Sequence, residues 1–327
     1  MPDFDWIIER NQRKVLFTPG PPPLLRENFR EFDSAFGRGD GQYDKVENKV
    51  LDHLRKITGS GEVVRLQGSS TLAIEIMATN FLTGSVVVVD TGFYSERLYA
   101  ICQNLRKPGG PVRTVTKVHW SEIDRFDGSA DWLFAAPVET SKALRIAISD
   151  LKKMAERLNA KLMLDATGSI GLEEDHELAD AMAFSSCKGL FGFTGAGFIA
   201  YEKGPTNAVN SFYMDIEAHR AKKITGPYHQ ILSLAGTLDN HEELKLAVQI
   251  NKERCLRDFS DYLILPPSNQ PQLCTALDRE ITTRDARVIL YQPRESSGGS
   301  ILCHLGEAHL GAHAHGDILS LIEVSER

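Results

Sequence analysis

The sequence predicts an α/β protein with a mainly parallel sheet covered by helices on both faces. Short, uniformly apolar segments such as 86–90 and 161–165 have the composition of strands buried on both sides. Segments with apolar residues at helical spacing, such as 44–57 and 148–158, alternate with them along the chain. At 327 residues the chain is also long enough for a large domain and a smaller one.

The elements follow one another as repeated strand–helix pairs. Residues 1–16 form a short amphipathic lead-in, and the prolines of 16–23 exclude a helix there. The helix over 44–57 stops at Gly59, and a helix over 72–82 follows the strand at 63–66. The later strands are expected at 86–90, 132–137 and 161–165, and an apolar strand at the end of 183–201.

Composition excludes several classes of function. A net charge of -7 argues against nucleic-acid and anionic-membrane partners, which require a basic surface. The N-terminus is acidic where an export signal is basic, and no apolar run approaches the ~20 residues of a membrane span. Five cysteines at irregular spacing form neither a disulfide framework nor a metal knuckle. We therefore expect a cytoplasmic protein without a metal site.

Polar residues follow the apolar strands at the ends where a parallel sheet binds ligands. They are Gln67-Gly-Ser-Ser-Thr71, Gly92-Phe-Tyr94, Glu139-Thr-Ser141 and Asp165. The Gly-Ser-Ser-Thr turn opens a helix, so it can bind a phosphate with backbone N–H groups, although such a turn is also a common helix cap. The convergence of all four segments favours a ligand site.

Asp165 and Lys188 together suggest a pyridoxal phosphate site. Asp165 ends a buried strand, and Lys188 stands between a small-residue run and a glycine-spaced segment. The lysine would hold the cofactor aldehyde as a Schiff base, and the acid would keep the pyridine nitrogen protonated. Taken alone, a lysine in such a loop is more often a solvent-exposed charge.

In order and spacing, these segments over residues 16–240 resemble the class V aminotransferases of the fold-type I pyridoxal phosphate enzymes. The nearest branch is the alanine–glyoxylate and 2-aminoethylphosphonate–pyruvate transaminases. The matching pieces are Leu16-Phe-Thr-Pro-Gly-Pro21, Gln67-Gly-Ser-Ser-Thr71, Gly92-Phe-Tyr-Ser-Glu-Arg97, Glu139-Thr-Ser141, Asp165, Lys188 and Lys222-Lys-Ile-Thr-Gly-Pro227. The resemblance implies a seven-stranded-type, mainly parallel sheet and a small C-terminal α+β domain.

The resemblance also implies a role for individual residues. Asp165 and Lys188 are the catalytic pair, and Tyr94 stacks on the cofactor ring. Thr140 lies near the phenolic oxygen of the cofactor, and Gly20 and Arg38 line the substrate side. Thr225 reaches the phosphate of the neighbouring subunit in a homodimer. The remaining cofactor-binding residues are Gly68, Ser69, Ser70, Thr167 and Ser186.

The sequence departs from the family in its C-terminal part. Pro137 stands where the family usually has His, and Ile301 stands where it has the Arg that clamps the substrate carboxylate. Either Arg38 or Arg294 replaces that clamp, or the amino substrate has no ordinary α-carboxylate. We assign residues 1–240 to the large domain, with segment 1–25 lining the site, and residues 241–327 to a shortened small domain.

Three other features carry less weight. His304, His309, His313 and His315 lack an orienting carboxylate pattern, so solvent-exposed or packing histidines are favoured over a metal site. Cys187 is interpreted as buried structure rather than a nucleophile. Residues 296–303 faintly resemble the mobile cysteine loop of desulfurases, but the Ile-Leu before Cys303 favours a strand.

The predicted function is transfer of an amino group from a small donor to a 2-oxo acid or small aldehyde. Two alternatives remain open from sequence. One is a pyridoxal phosphate-dependent lyase or desulfurase on the same fold. The other is a catalytically silent protein of this fold that acts as a binding partner, suggested by the missing Arg and the short C-terminal part.

Overall fold

The computed structural model describes residues 4–32, 37–294, 298–306, 308 and 318–325. The described helices are α1 (Phe4–Gln12), α2 (Gly41–Thr58), α3 (Ser70–Phe81), α4 (Phe93–Leu105), α5 (Ile148–Arg157), α6 (Ile216–Arg220), α7 (Tyr228–Leu238) and α8 (His241–Asp258). None of these helices combines the length and the apolar character needed to cross a membrane.

The strands belong to one large sheet and several small ones. Those of the first two-thirds of the chain are β1 (Val15–Phe17), β2 (Glu62–Gln67), β3 (Gly84–Asp90), β4 (Val112–His119), β5 (Trp132–Ala135), β6 (Val138–Glu139), β7 (Leu144–Arg145), β8 (Lys161–Asp165), β9 (Ala181–Ser185) and β10 (Ala196–Tyr201). Those that follow are β11 (Cys274–Leu277), β12 (Ile281–Thr282), β13 (Val288–Leu290), β14 (Ser300–Cys303) and β15 (Glu323–Val324).

The large sheet has seven strands in the order β2-β10-β9-β8-β5-β3-β4. The neighbours from β9 to β4 all pair in parallel, whereas β10 is antiparallel to both β2 and β9. The predicted mainly parallel sheet is therefore confirmed. Its parallel strands direct their carboxyl ends, and the loops that follow them, to one edge of the molecule.

An apolar core lies on each face of this sheet because its central strands are buried on both sides. One core packs α2, α5 and α7 against side chains such as Leu133, Leu164 and Phe198. The other packs α3 and α4 against the opposite side chains of the same strands, such as Phe134 and Met163. Strands β5, β9 and β10 are buried along their whole length, which makes them a rigid base for the loops at their ends.

The C-terminal part forms a separate set of small sheets beside α8. Strand β11 pairs with β14, and β12 pairs with β15, both antiparallel. The N-terminal strand β1 joins this part, because it pairs in parallel with β13 and packs Val15 and Phe17 into the C-terminal core. The N-terminal segment therefore connects the two parts of the chain, and the domain boundary after residue 240 stays a prediction.

Candidate active site

A cavity of about 210 Å³ lies at the carboxyl ends of the parallel strands. Its walls come from the start of α3, from α4, from the segment after β6, from the loop after β8 and from the loop after β9. Six residues predicted from the sequence meet there: Ser70, Tyr94, Thr140, Asp165, Thr167 and Lys188.

Asp165 is the only carboxylate among the described residues that line this cavity, and it is 4% exposed. The N–H of Thr167 donates to Asp165 Oδ1 at 3.1 Å, and Arg97 Nη2 lies 3.1 Å from Asp165 Oδ2. A buried carboxylate is stable as an anion only with such partners. Its remaining lone pairs can accept a proton donor from a ligand in the cavity.

Lys188 lies half-buried in the loop between β9 and β10. The next residue of this loop, Gly189, accepts a hydrogen bond at 2.8 Å from His241 Nε2, the first residue of α8. Burial lowers the pKa of His241, so its ring stays neutral and donates one N–H to that carbonyl. The lysine loop is therefore held from behind by the helix that begins the C-terminal part.

Gly20 explains how the N-terminal segment reaches the lysine. Its φ of +117° favours glycine, and a Cβ at this position would lie 3.1 Å from the carbonyl oxygen of Cys187 and 3.4 Å from Lys188 Cγ. The predicted placement of the Pro-rich segment against the site thus has a steric basis.

Tyr94 is fixed by a buried carboxylate that sequence reasoning did not assign to any role. Glu139 is fully buried, and its Oε2 accepts a hydrogen bond from the N–H of Tyr94 at 2.8 Å. Its Oε1 accepts from the N–H and the hydroxyl of Ser141, at 3.0 and 2.6 Å. Glu139 therefore ties the start of α4 to the segment after β6 and fixes the backbone that carries the aromatic ring of Tyr94.

The turn before α3 has the features of an anion site. Ser69 is the N-cap residue, but its side chain makes no capping hydrogen bond, so the first N–H groups of this twelve-residue helix have no partner from it. The hydroxyl of Thr71 accepts from Arg97 Nη1 at 3.0 Å, which brings a cation to the same end of the helix. The N–H of Gly68 is already bonded to Gly195 O at 2.9 Å, so Gly68 shapes the turn.

Two threonine hydroxyls of the cavity are buried without a close hydrogen-bond partner among the residues that the structure describes, although the phenol of Tyr291 lies beside one of them, Thr140. They are Oγ1 of Thr140 and Oγ1 of Thr167, and Nε of Arg97 is in the same condition. An unsatisfied buried polar atom costs about 1–3 kcal/mol. Three such atoms around one cavity indicate that a polar ligand completes their hydrogen bonding.

Six of the predicted site residues do not line this cavity: Gly20, Gly68 and Ser69, described above, and Ser186, Arg38 and Thr225. Ser186 is fully buried and donates to the carbonyl of Phe193, so it holds the lysine loop together. Arg38 donates to Lys222 O at 3.0 Å and lines a separate cavity beside Tyr43 and Glu47. Thr225 is exposed on the surface. The roles of Arg38 and Thr225 at the site stay predictions.

The structure adds two arginines to the site. Arg97 was part of the motif around Tyr94, but nothing in the sequence connected it with Asp165 across 68 residues. Arg294 was considered only as a possible carboxylate clamp, and it lies at this cavity, 5.3 Å from the ring centroid of Phe93. Its segment follows β13, so only the path of the C-terminal part could reveal the contact.

The C-terminal expectations lie only partly within the described residues. Ile301 belongs to β14 and is 2% exposed, which confirms the strand at that position. His304 is a packing residue, 1% exposed, and its Nε2 lies 2.9 Å from Thr275 Oγ1. His309, His313 and His315 lie outside the described residues, as do the first two residues of the segment 296–303.

No protein-family model matches the chain. Among curated proteins, 2-aminoethylphosphonate–pyruvate transaminase of Pseudomonas aeruginosa (strain PAO1) is 28% identical over 254 residues, which cover 70% of this chain and 68% of that protein.

Two solved structures share the fold over most of both chains. Alanine–glyoxylate aminotransferase from Nostoc sp. superposes with a TM-score of 0.77 at 14% identity, and covers 94% of this chain and 94% of its own. Phosphoserine aminotransferase from Trichomonas vaginalis, bound to pyridoxal phosphate, gives a TM-score of 0.71 at 15% identity, with coverage of 90% and 97%. At these identities the similarity establishes the fold.

Proposed function

We propose that this chain, a class V aminotransferase by its curated relative and its fold, moves an amino group from a small donor to a small oxo acceptor with pyridoxal 5'-phosphate as cofactor. The observation that carries the proposal is that Lys188 and Asp165 line the same cavity at the carboxyl ends of the parallel strands.

The residues around the cavity fit this cofactor. The uncapped N-terminus of α3 and the hydroxyls of Ser70 and Thr71 suit a phosphate group. The buried carboxylate of Asp165 suits a protonated ring nitrogen. The unpartnered hydroxyls of Thr140 and Thr167 suit the polar substituents of the ring.

Pyridoxal phosphate, when bound, supplies an aldehyde that bonds to amines and a protonated ring that accepts electrons once a Cα proton leaves. The chain's own residues place and move protons around it. Lys188 is the residue whose amine would hold the aldehyde and that the amino donor would release. The freed Nζ then takes the proton from the substrate Cα and delivers it to C4′. Asp165 would keep a proton on the ring nitrogen, because a carboxylate anion favours the charged form of its partner.

Tyr94 and Glu139 contribute orientation. The hydrogen bond from the N–H of Tyr94 to Glu139 fixes the start of α4, and the guanidinium of Arg97 lies over the aromatic ring of Tyr94, 5.3 Å from its centroid. Val138 and Gly168 close the adjoining wall and limit the space in which a small substrate can move.

The homodimer, the contribution of Thr225 to the neighbouring site and the cytoplasmic location belong to the same proposal. Thr225 lies between buried Ile224 and buried Gly226, so the backbone that carries its exposed side chain is anchored at the surface. This placement supports a contact with another subunit.

The test is an assay of both halves of the reaction with cofactor-loaded protein. The first pair of substrates is 2-aminoethylphosphonate with pyruvate, the pair in the name of the Pseudomonas relative, followed by alanine with glyoxylate. With the donor alone, mass spectrometry is expected to find pyridoxamine 5'-phosphate, and with the acceptor added, the aminated product. Lys188→Ala is expected to reduce product formation roughly 10³-fold or more.

Two results would contradict the proposal. Recovery of the aldehyde form after the donor has been cleaved would indicate a lyase. Tight cofactor binding without product from any donor would indicate a silent binding protein.

A further inference from the structure

Strand β14, where the resemblance would place an Arg that binds the substrate, has no cationic side chain. Ile301 of β14 pairs with Ala276 of β11 and packs in the C-terminal core with Leu273 and Leu305. An apolar side chain that is 2% exposed stabilises this core and binds no anion. A charged group of a substrate must therefore be recognised by another element.

The segment 291–294, directly after β13, reaches the cavity instead. Tyr291 packs against the C-terminal core, and burial raises the pKa of its phenol, which lies beside Tyr94 and Thr140. Three residues later, Arg294 lines the same cavity as Lys188. This segment thus forms a wall that the C-terminal part adds to the site of the large sheet.

The two arginines of the cavity are in different situations. Arg97 is engaged, because it forms an ion pair with Asp165 and donates to Thr71. Arg294 forms no ion pair with any residue that the structure describes, and the contact recorded for it is with the ring of Phe93, 5.3 Å from its guanidinium carbon. A cation–π contact of this kind orients a guanidinium without using its N–H donors. None of the residues that the structure describes is shown to use the five N–H donors of Arg294, so these donors are available to a ligand.

The charges of the lining also favour an anion. The described lining holds three cationic side chains, Arg97, Lys188 and Arg294, and a single carboxylate, Asp165. Asp165 is already paired with Arg97. A positive excess around a small cavity attracts anionic ligands and raises their local concentration.

We propose that Arg294 binds the anionic group of the amino substrate, a carboxylate or a phosphonate, and so acts as a specificity-determining residue from the segment after β13. The proposal rests on the proposed amino-group transfer. The planar guanidinium matches both anions with two parallel hydrogen bonds, and its exposed position at the cavity lets it meet a substrate as it enters.

The main experiment measures kcat and KM separately for Arg294→Gln and Arg294→Lys in cofactor-loaded protein. Donors with a carboxylate (alanine) or a phosphonate (2-aminoethylphosphonate) are compared with ethylamine, an amine that carries no anionic group. Arg294→Gln is expected to raise KM for one or both anionic donors about 10- to 100-fold, with kcat within a few-fold of wild type. The KM for ethylamine is expected to stay unchanged in Arg294→Gln. Arg294→Lys is expected to show a smaller rise in KM for the anionic donors than Arg294→Gln. The donor that responds identifies the anion.

The matched control is Arg284→Gln, which removes another exposed arginine of the C-terminal part, paired with Glu323. It is expected to leave all kinetic constants as in wild type. An unchanged KM in Arg294→Gln would overturn the proposal. An equal loss with donors that have and donors that lack an anionic group would also overturn it, because it would indicate a structural role.

A second measurement needs no turnover. Phenylglyoxal modifies accessible arginines, and peptide mass spectrometry gives the rate at Arg294. Acetate or methylphosphonate is expected to slow this rate severalfold while leaving the rate at Arg284 unchanged, and the absence of protection by both would overturn the proposal. If wild-type protein transfers no amino group, the proposed function fails, and the labelling still decides whether Arg294 binds anions.

Discussion

Two buried carboxylates organise the site, and they are stabilised in different ways. Asp165 keeps one oxygen near a cation, Arg97, and the other on the N–H of Thr167. Glu139 has no cation among its described hydrogen-bond partners and is held by three donors from Tyr94 and Ser141. Asp165 is therefore open to a ligand, whereas Glu139 is saturated by the protein and acts as a positioning residue.

Glu139→Gln tests that positioning role. A glutamine places an NH₂ group opposite either the donor of Tyr94 or the donors of Ser141, so one or two hydrogen bonds are lost. This loss is expected to lower the free energy of unfolding by about 1–3 kcal/mol. We expect a lower thermal midpoint and weaker cofactor binding in fluorescence titrations. Glu253→Gln, at an exposed position of α8, is the control and is expected to change neither. Unchanged cofactor affinity in Glu139→Gln would contradict the role.

Arg97→Gln tests how Asp165 is stabilised before the cofactor binds. Without the cofactor, removal of Arg97 leaves the buried carboxylate of Asp165 with a single backbone donor. The expected loss of unfolding free energy is only about 1–2 kcal/mol, because Arg97 is itself partly exposed. With the cofactor bound, the ring nitrogen supplies the missing positive charge. The thermal shift on cofactor addition should therefore be larger in Arg97→Gln than in wild type. A smaller shift would indicate that Arg97 binds the cofactor directly.

For individual residues, the sequence predicts the side chains that would contact the cofactor. It does not predict the side chains that position them or that complete the cavity wall. Asp165, Lys188 and Ser70 follow strands or open a helix, and that position alone places them at the cavity. Glu139 and Arg294 act through contacts with residues 45 and 201 positions away, respectively. No periodicity or local spacing carries such information, so these roles emerge only from the fold.

At the scale of the elements, a buried histidine, His176, contacts the loop after β8 and helps to hold it in place. His176 Nε2 lies 3.0 Å from Ser169 Oγ, four residues beyond Asp165, and the ring is 2% exposed. Burial lowers the pKa of His176 from 6.5 to about 4, with Asp175 raising it and Lys245 lowering it further. In the folded protein the ring of His176 is therefore neutral near pH 7.

That histidine should make stability fall on acidification. Below the unfolded pKa of 6.5, the unfolded chain takes up a proton that the folded chain refuses, so unfolding becomes easier until the pH reaches about 4. Between pH 7 and pH 5 the loss due to His176 is about 2 kcal/mol. In urea denaturation, His176→Gln should lose about that much less than wild type over the same interval. An equal loss in both proteins would contradict the assignment.

The elements that sequence analysis missed have a physical reason for being missed. Strand β4 lies at the edge of the large sheet, where six of its eight residues are partly or fully exposed to solvent. Its sequence, Val-Arg-Thr-Val-Thr-Lys-Val-His, lacks the apolar run that identified β3 and β8. Strand β1 has only three residues and pairs with β13, far away in the sequence, so its partner could not be predicted.

For the molecule as a whole, the two parts of the chain build one site. The large sheet supplies Asp165 and Lys188, α8 of the C-terminal part holds the lysine loop through His241, and Arg294 adds a wall. The N-terminal segment crosses between the parts, from β1 on the C-terminal core to Gly20 beside Lys188. Movement of the C-terminal part would thus alter the substrate side of the cavity while the large sheet stays fixed.

The proposed homodimer gives a prediction at the same scale. If Thr225 binds the phosphate of the neighbouring site, Thr225→Ala should weaken cofactor binding about tenfold while sedimentation still gives a dimer. Thr114→Ala, at an exposed position of β4, is the control and should bind the cofactor as wild type does. A monomer in sedimentation, or normal cofactor binding by Thr225→Ala, would contradict this contact.

The most direct test of the whole account is to locate the amine that carries the cofactor. Borohydride treatment of the cofactor-loaded protein fixes the cofactor on the lysine to which it is bonded, and peptide mass spectrometry identifies that lysine. A pyridoxyl group is expected on Lys188 and on no other lysine, and none is expected in Lys188→Ala. A pyridoxyl group on a different lysine, or none on a protein that has bound the cofactor, would contradict it.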